Sequence, residues 1–367
     1  MKAVTTRILH DKVLWIAAVA AGLSLFVGRP QIHDINWTTI WSLLALMVCV
    51  QLLNGYHVLD QLSQQLLTHS HNQRQIVQYT VLLAFLGAMF LTNDVAILTL
   101  FPMYIRLAHQ QHLPIAFPTT LIVLAANLGS AFTPFGNPQN LFLVAHYHID
   151  GLAFLKLSTP LMLIGLFSLA GLTYGIAPRS TKSAPTRLFP QHPGKIALTI
   201  LLFGLTLLGI FQIFPLGWIT VIVIISGWLL NRTAIKQVDY GLLLTFICFF
   251  ILVSSFSHNA ALTTLIAHVT RTPVASYLTG LTISQVISNV PATVLLANFT
   301  NHLTALYWGV NLGGLGTLVA SLANLLALKQ LLFLTNRPTV REFFKVFTLV
   351  NLGLLVVLGT IGYYWIR

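Results

Sequence analysis

Charge is what this sequence has least of. Only 7% of its 367 residues are Asp, Glu, Lys or Arg, against roughly 25% in soluble domains, which excludes an ordinary water-facing surface for a chain of this length. Acidic residues are scarcer still, with seven Asp plus Glu against 19 Lys plus Arg. Cysteine is nearly absent, and Cys49 and Cys248 both fall inside apolar runs, so neither a disulfide framework nor a thiolate metal cluster has support. The first apolar run has no small-residue cleavage site after it. A GxxxxGK[ST] phosphate loop is missing, so the expected driving force is an ion gradient rather than ATP. The HExxH zinc motif, a Ser/His pair and two Asp within one membrane-embedded site are missing as well, and no enzyme activity is expected.

What fills the chain instead is apolar: 56% of the residues. Runs of spanning or near-spanning length cover roughly 13 to 28, 35 to 54, 114 to 147, 152 to 176, 196 to 213, 217 to 231, 238 to 256, 303 to 328 and 344 to 365. These nine read as transmembrane helices of an all-α polytopic membrane protein. Two further segments, about 75 to 107 and 273 to 300, carry polar breaks near their middles, TND at 92 to 94 and SN at 288 to 289. Each is either one long span or a re-entrant hairpin that enters and leaves by one face.

The positive-inside rule separates these cases, because each choice fixes the side of every loop. With two hairpins, fifteen Lys and Arg from Lys2 to Lys345 share one side and only Arg29, Lys156, Arg271 and Arg367 lie on the other; with two single spans the split is ten against nine. Two hairpins are therefore expected, with the N-terminus cytoplasmic and the C-terminus external in a plasma (inner) membrane. The excess of positive charge reports topology, and no nucleic-acid partner is expected.

The two halves also match each other. NLGSAFTPFGNPQN (127 to 140) aligns without gaps on NLGGLGTLVASLAN (311 to 324) at an offset of 184, and LTNDVAILTLFP pairs with ISNVPATVLLAN at an offset of 196, which sets Asn93 opposite Asn289. Residues 1–177 thus read as a first repeat with its hairpin and a broken helix at 114–147, and 214–367 as a second with a broken helix at 303–328. A Pro- and Lys/Arg-rich cytoplasmic linker at 178–195 and a linking span at 196–213 separate them. Each repeat crosses four times, so the linking span inverts the second relative to the first. The stretches YHVLDQLSQQLLTHSH, with Val58, Leu62 and Leu66 on one face, and SHNAALTTLIAHVTR, with Leu262, Leu265, Ile266 and Val269, are amphipathic. They read as helices in the interface plane or as connecting helices packed on protein.

The polar breaks are where chemistry is expected. Unpaired backbone at membrane depth is tolerated only where protein or a water-filled cavity satisfies it. TND and SN each precede a fresh helix, so Asn, Asp or Ser is expected at an N-cap with free N–H groups beyond it. Two such ends facing one site attract an anion without Arg or Lys. Thr92, Asn93, Asn137, Ser288, Asn289 and Ser321 are the candidate substrate contacts. Gly129, Pro134, Gly136, Pro138 and Gly313, Gly314, Gly316 would unwind a helix in mid-span. The freed carbonyls beside Thr133, Gly136, Asn140, Thr317 and Asn324, together with Asp94, form the candidate site for a coupling ion, sodium or a proton. Asp94 is the only acid placed deep in the membrane region, where a charge is costly and functional by default, with helix capping as its structural alternative. Among the 13 His residues, the pairs His69/His71 and His146/His148 have a spacing that does not bring both rings to one helix face, so no metal centre is expected. No cofactor is expected beyond the coupling ion.

These motifs, TNDVAILTLFP, then AANLGSAFTPFGNPQN, then SNVPATVLLAN, resemble the ion transporter superfamily that holds the citrate-transporter-like permeases, the divalent anion to sodium symporters and the arsenite permeases. The resemblance covers nearly the whole chain. It implies a scaffold and a moving transport domain, elevator-like alternating access, often a homodimer, and substrate contacts at Asn93 and Asn289. The symporters carry Ser-Asn-Thr at each tip, whereas this chain has Thr92-Asn93-Asp94 and Ser288-Asn289-Val290, closer to the arsenite-permease branch. The expectation is a secondary transporter of a small anion, carboxylate or inorganic oxyanion. Arsenite or antimonite efflux and sodium/proton antiport are the alternatives within the class, and a channel or a membrane-embedded enzyme lies outside it.

Overall fold

The structure is a computed structural model and describes residues 8–9, 11–181 and 192–367. Most of the expected linker at 178–195 therefore lies outside the described residues. The described chain is helical, with one isolated bridge between Asn72 and Ser180. Its helices, in order, are α1 (Lys12–Ser24), α2 (Trp37–Gly55), α3 (Val58–Thr68), α4 (Gln73–Leu91), α5 (Asn93–Gln111), α6 (Ala116–Ser130), α7 (Pro138–Tyr147), α8 (Gly151–Tyr174) and α9 (Pro193–Ile210). Then follow α10 (Leu216–Leu230), α11 (Arg232–Gln237), α12 (Tyr240–Ser257), α13 (Ala260–Val269), α14 (Pro273–Ile287), α15 (Asn289–Ala297), α16 (Leu303–Gly313), α17 (Leu322–Leu334) and α18 (Arg337–Ile366). Six of them, α2, α4, α8, α9, α12 and α18, are long and apolar enough to cross a bilayer singly. The protein is an all-α polytopic membrane protein.

Helix starts follow local chemistry. The side chains of Asn36, Asn72, Asp150, Asp239 and Asn336 each accept a hydrogen bond from a first-turn N–H, which relieves donors that hydrocarbon cannot solvate. This sets α18 starting at Arg337, well before its apolar run begins near 344, because Asn336 caps it and Pro338 fits its first turn. Helix α1 is shorter than its apolar run and stops at Ser24, followed by turn hydrogen bonds at Phe26 and Val27. The runs 114–147 and 303–328 are each two helices separated by non-helical chain.

Burial sorts the helices into two groups. A large core joins α4 to α8 with α14 to α18 and takes in the first part of α2 and the buried face of α12. A second, smaller cluster is built from Ala45, Val48, Cys49, Leu52 and Tyr56 at the end of α2 with Leu202, Ile219, Val223, Ala234 and Val238 of α9 to α12. The two amphipathic helices differ. In α3, Leu59 and Ser63 are buried while Leu62 is exposed, so the face that packs on protein is one residue off the expected Val58/Leu62 stripe; the Leu66 side chain lies outside the described residues. In α13 no residue is fully buried; Ile266 packs partly buried against the large core, while Leu265 and Val269 are exposed.

Candidate functional site

Each polar break places a non-glycine residue in a backbone region that side chains rarely adopt: Thr92 at φ 71°, ψ 154° and Ser288 at φ 75°, ψ 152°. Such geometry costs on the order of 1–3 kcal/mol and persists only when surrounding contacts impose it. The contacts are visible and occur twice. The N–H of Asn93 donates to the Gly136 carbonyl at 3.2 Å, and that of Asn289 donates to the Ala320 carbonyl at 2.9 Å. The Thr133 hydroxyl donates to the Met89 carbonyl at 2.6 Å, and the Thr317 hydroxyl to the Gln285 carbonyl at 3.0 Å. Every pair is related by the offsets 184 and 196.

Ser288 is among the residues expected at a cap, whereas at the first break Thr92 takes the place expected of Asn93 or Asp94. Thr92 and Ser288, rather than Asn93, Asp94 or Asn289, occupy the cap positions of α5 and α15, and neither side chain makes a capping bond. Asn93 Oδ1 accepts instead from the Asp94 N–H at 3.0 Å. The N–H groups of Val95 and Val290 find no acceptor among the described residues, so both helix starts keep an unspent donor. Asp94 is half-buried. The other aspartates cap helices or pair with His or Ser, as Asp11, Asp150 and Asp239 do in caps and Asp34 and Asp60 do with neighbours. The carboxylate of Asp94 alone among them has no hydrogen-bond or ion-pair partner among the described residues, so helix capping does not account for it.

Behind the tips, the unwound segments cross. Asn127 Nδ2 donates to Asn324 Oδ1 at 2.8 Å, and Asn127 Oδ1 accepts from the Ser321 hydroxyl at 3.0 Å. In the mirror arrangement Asn311 Nδ2 donates to Asn140 Oδ1 at 3.0 Å, and Asn311 Oδ1 accepts from Asn137 Nδ2 at 3.2 Å. Asn140 then donates to the carbonyls of Ser130, Ala131 and Thr133, and Asn324 to those of Gly314 and Thr317. Asn127, Asn137, Asn140, Asn311, Ser321 and Asn324 are all buried. Gly136 fits here because a Cβ would strike the Ser130 carbonyl, and at Gly314 one would lie 2.7 Å from the Asn289 amide.

The candidate residues therefore fall into two layers. Thr92, Asn93, Asp94, Ser288 and Asn289 lie at the two polar breaks, with the Gly136 carbonyl accepting from the Asn93 N–H. Asn137, Asn140, Ser321 and Asn324 belong to the crossing network: the amides of Asn140 and Asn324 are engaged with carbonyls freed by unwinding, the Asn137 amide with Ser130 and Asn311, and the Ser321 hydroxyl with Asn127. Thr133 and Thr317 hold the ends of α4 and α14; Thr133 is buried and Thr317 exposed. Sequence reasoning paired Asn127 with Asn311 but did not place them at the centre of the network, and it missed Gln285. The Gln285 amide donates to the Gly313 and Leu315 carbonyls while its oxygen accepts from the Thr317 N–H. A lone Gln four residues before Asn289 carries no periodic signal. No Lys or Arg occurs within residues 75–105, 107–155 or 272–328, so these segments themselves supply dipoles and the Asp94 carboxylate, with the Asp239 carboxylate within electrostatic range of it.

Two unwound helices are thus locked across the halves, with two strained tips held against them, and the sequence that builds them matches a known family. A profile described as citrate transporter matches residues 3–304. The chain belongs to the citrate transporter family. It is 31% identical to the inner membrane protein YbiR of Escherichia coli K12, over 94% of this chain and 92% of the relative. It is also 31% identical to an uncharacterized transporter of Methanocaldococcus jannaschii, over 87% of this chain and 89% of the relative. A shorter similarity, 29% over 36% of this chain and 27% of the relative, links it to the silicon efflux transporter LSI3 of Oryza sativa subsp. japonica. The citrate-transporter member is thus a multi-pass membrane transporter.

Proposed function

We propose that this citrate-transporter family member is a secondary active transporter of a small oxyanion or oxyacid, coupled to a sodium or proton gradient. The observation that carries the reading is the doubled tip: Asn93 and Asn289 start two helices, each with its first N–H bonded to a carbonyl of polar, non-helical chain and the N–H of Val95 or Val290 unspent among the described residues. Helix N-termini and amide donors attract the oxygen atoms of a carboxylate, phosphate or oxyacid without a fixed cation. Thr92, Asn93, Ser288 and Asn289 contact the substrate, Asn137 and Ser321 position them, and Asp94 with the carbonyls near Thr133, Gly136 and Thr317 handles the coupling ion. In this reading α4–α5 and α14–α15 are re-entrant hairpins of two inverted repeats, the N-terminus is cytoplasmic and the C-terminus external. The separate cluster around Cys49 serves as a scaffold against which the large core moves in an elevator-like step.

One observation favours a second reading. An unpaired carboxylate at the tip and the lack of Lys or Arg nearby disfavour a multiply charged substrate, and a relative is named for silicon efflux. A neutral oxyacid, such as arsenous or silicic acid, exported against proton entry suits that chemistry.

The test is a thermal-shift screen followed by flux in proteoliposomes, with citrate, succinate, phosphate, sulfate, arsenite and silicate, each with and without sodium and across pH steps. A ligand that binds the folded state raises its apparent stability. Sodium- or proton-dependent accumulation of one of these supports the first reading, and proton-driven movement of arsenite or silicate alone supports the second. Gradient-independent conductance with every solute would overturn both.

A further inference from the structure

Helix α18 is longer than a bilayer needs. Its 30 residues extend about 45 Å at 1.5 Å each, whereas the hydrocarbon layer takes about 20 residues. Tyr363, Tyr364 and Trp365 anchor its C-terminal end at one interface, so the first nine or so residues protrude into the opposite headgroup layer. Arg337, Arg341 and Lys345 lie there at i, i+4 and i+8, on one face of the helix. All three are exposed, and none has a carboxylate within ion-pair distance among the described residues. Glu342, the acid beside them, is exposed and forms no ion pair among the described residues either. Cations near a helix N-terminus oppose the helix dipole, so this placement costs stability.

The three cations rim a cavity of about 350 Å³ between the end of α17 and the start of α18, whose apolar lining is Leu332, Val340 and Phe344. Neighbouring Phe333 is 87% exposed. The site is thus cationic on one side and apolar on the other, at headgroup depth. We propose that it binds one anionic phospholipid of the adjacent leaflet, which the charge distribution makes the cytoplasmic one. The phosphate sits on Arg337, Arg341 and Lys345, and an acyl chain lies along Phe344 and Leu332. A free phosphate satisfies the cations but leaves the apolar wall wet, so the lipid is the occupant that uses both halves. The placement rests on helix length and charge, and it is independent of the transported substrate.

Native mass spectrometry of the full chain, titrated with palmitoyl-oleoyl phosphatidylglycerol or the matching phosphatidylcholine, tests the site. The wild type should retain the anionic lipid with at least tenfold preference, consistent with an attraction of about 1 kcal/mol per basic residue. The Arg337→Gln/Arg341→Gln/Lys345→Gln variant should lose that preference while eluting as a monodisperse species, and Arg337→Lys/Arg341→Lys should keep most of it. Equal retention of both lipids by the wild type overturns the proposal without any variant. Undiminished preference in the triple variant overturns it too, as does complete displacement of the lipid by millimolar inorganic phosphate, which would mark a site for the free anion.

Discussion

Asn127 and Asn311 make the same pair of bonds to opposite halves, so they should fail alike. Asn127→Ala strands the Ser321 hydroxyl and Asn324 Oδ1, and Asn311→Ala strands Asn140 Oδ1 and leaves the Asn137 amide only its bond to Ser130. Each should cost about 1–3 kcal/mol, the usual penalty for buried polar groups left unpaired. Matched drops in thermal unfolding of the purified protein check this, and a drop in only one of them would break the equivalence. Asp94 behaves differently, because its side chain supports no helix. Asp94→Asn should leave the unfolding temperature close to wild type while abolishing the dependence of transport on the ion gradient, read as substrate counterflow that persists without gradient-driven accumulation. Wild-type coupling in this variant returns the role to another residue. At the strained tip, Thr92→Gly should unfold later than Thr92→Ala by about 1 kcal/mol, since only glycine relieves the backbone geometry that alanine retains.

Close packing of helix pairs depends on glycine at particular spots. A Cβ on Gly129 would strike the Phe85 carbonyl of α4, and one on Gly313 would lie 2.7 Å from Ser284 Cβ of α14. Gly129→Ala should therefore wedge α6 from α4 and cost about 1–3 kcal/mol or more. Gly204→Ala in α9 meets nothing within 4 Å and should stabilise by up to about 1 kcal/mol through helix propensity. Chemical denaturation of the two variants in detergent gives opposite signs if the packing is as described. The sequence made the element boundaries legible because polar residues interrupt apolar runs at 92–94, 131–137, 288–289 and 314–321. It included Ser288 among the expected caps but not Thr92, whose place shows only in its backbone angles. It also related Asn127 to Asn311 by alignment yet could not show that each bonds the other's neighbours. An internal repeat identifies equivalent residues, whereas contacts depend on how the two copies cross in space.

At the scale of the molecule, the charge distribution predicts sidedness. In a cysteine-free background, Arg341→Cys should react with a membrane-impermeant maleimide only after cell lysis, and Arg271→Cys in intact spheroplasts. The reverse pattern would invert the orientation proposed above. The crossing asparagines also have a consequence in time. Asn127 finds its partner 197 residues further along the chain, and synthesis at about 5–20 residues per second separates the two by roughly 10–40 s. During that interval the first half is already in the membrane with its central amide unanswered. The nascent first half must therefore stay open to water or to the insertion machinery, and it closes only when the second half arrives.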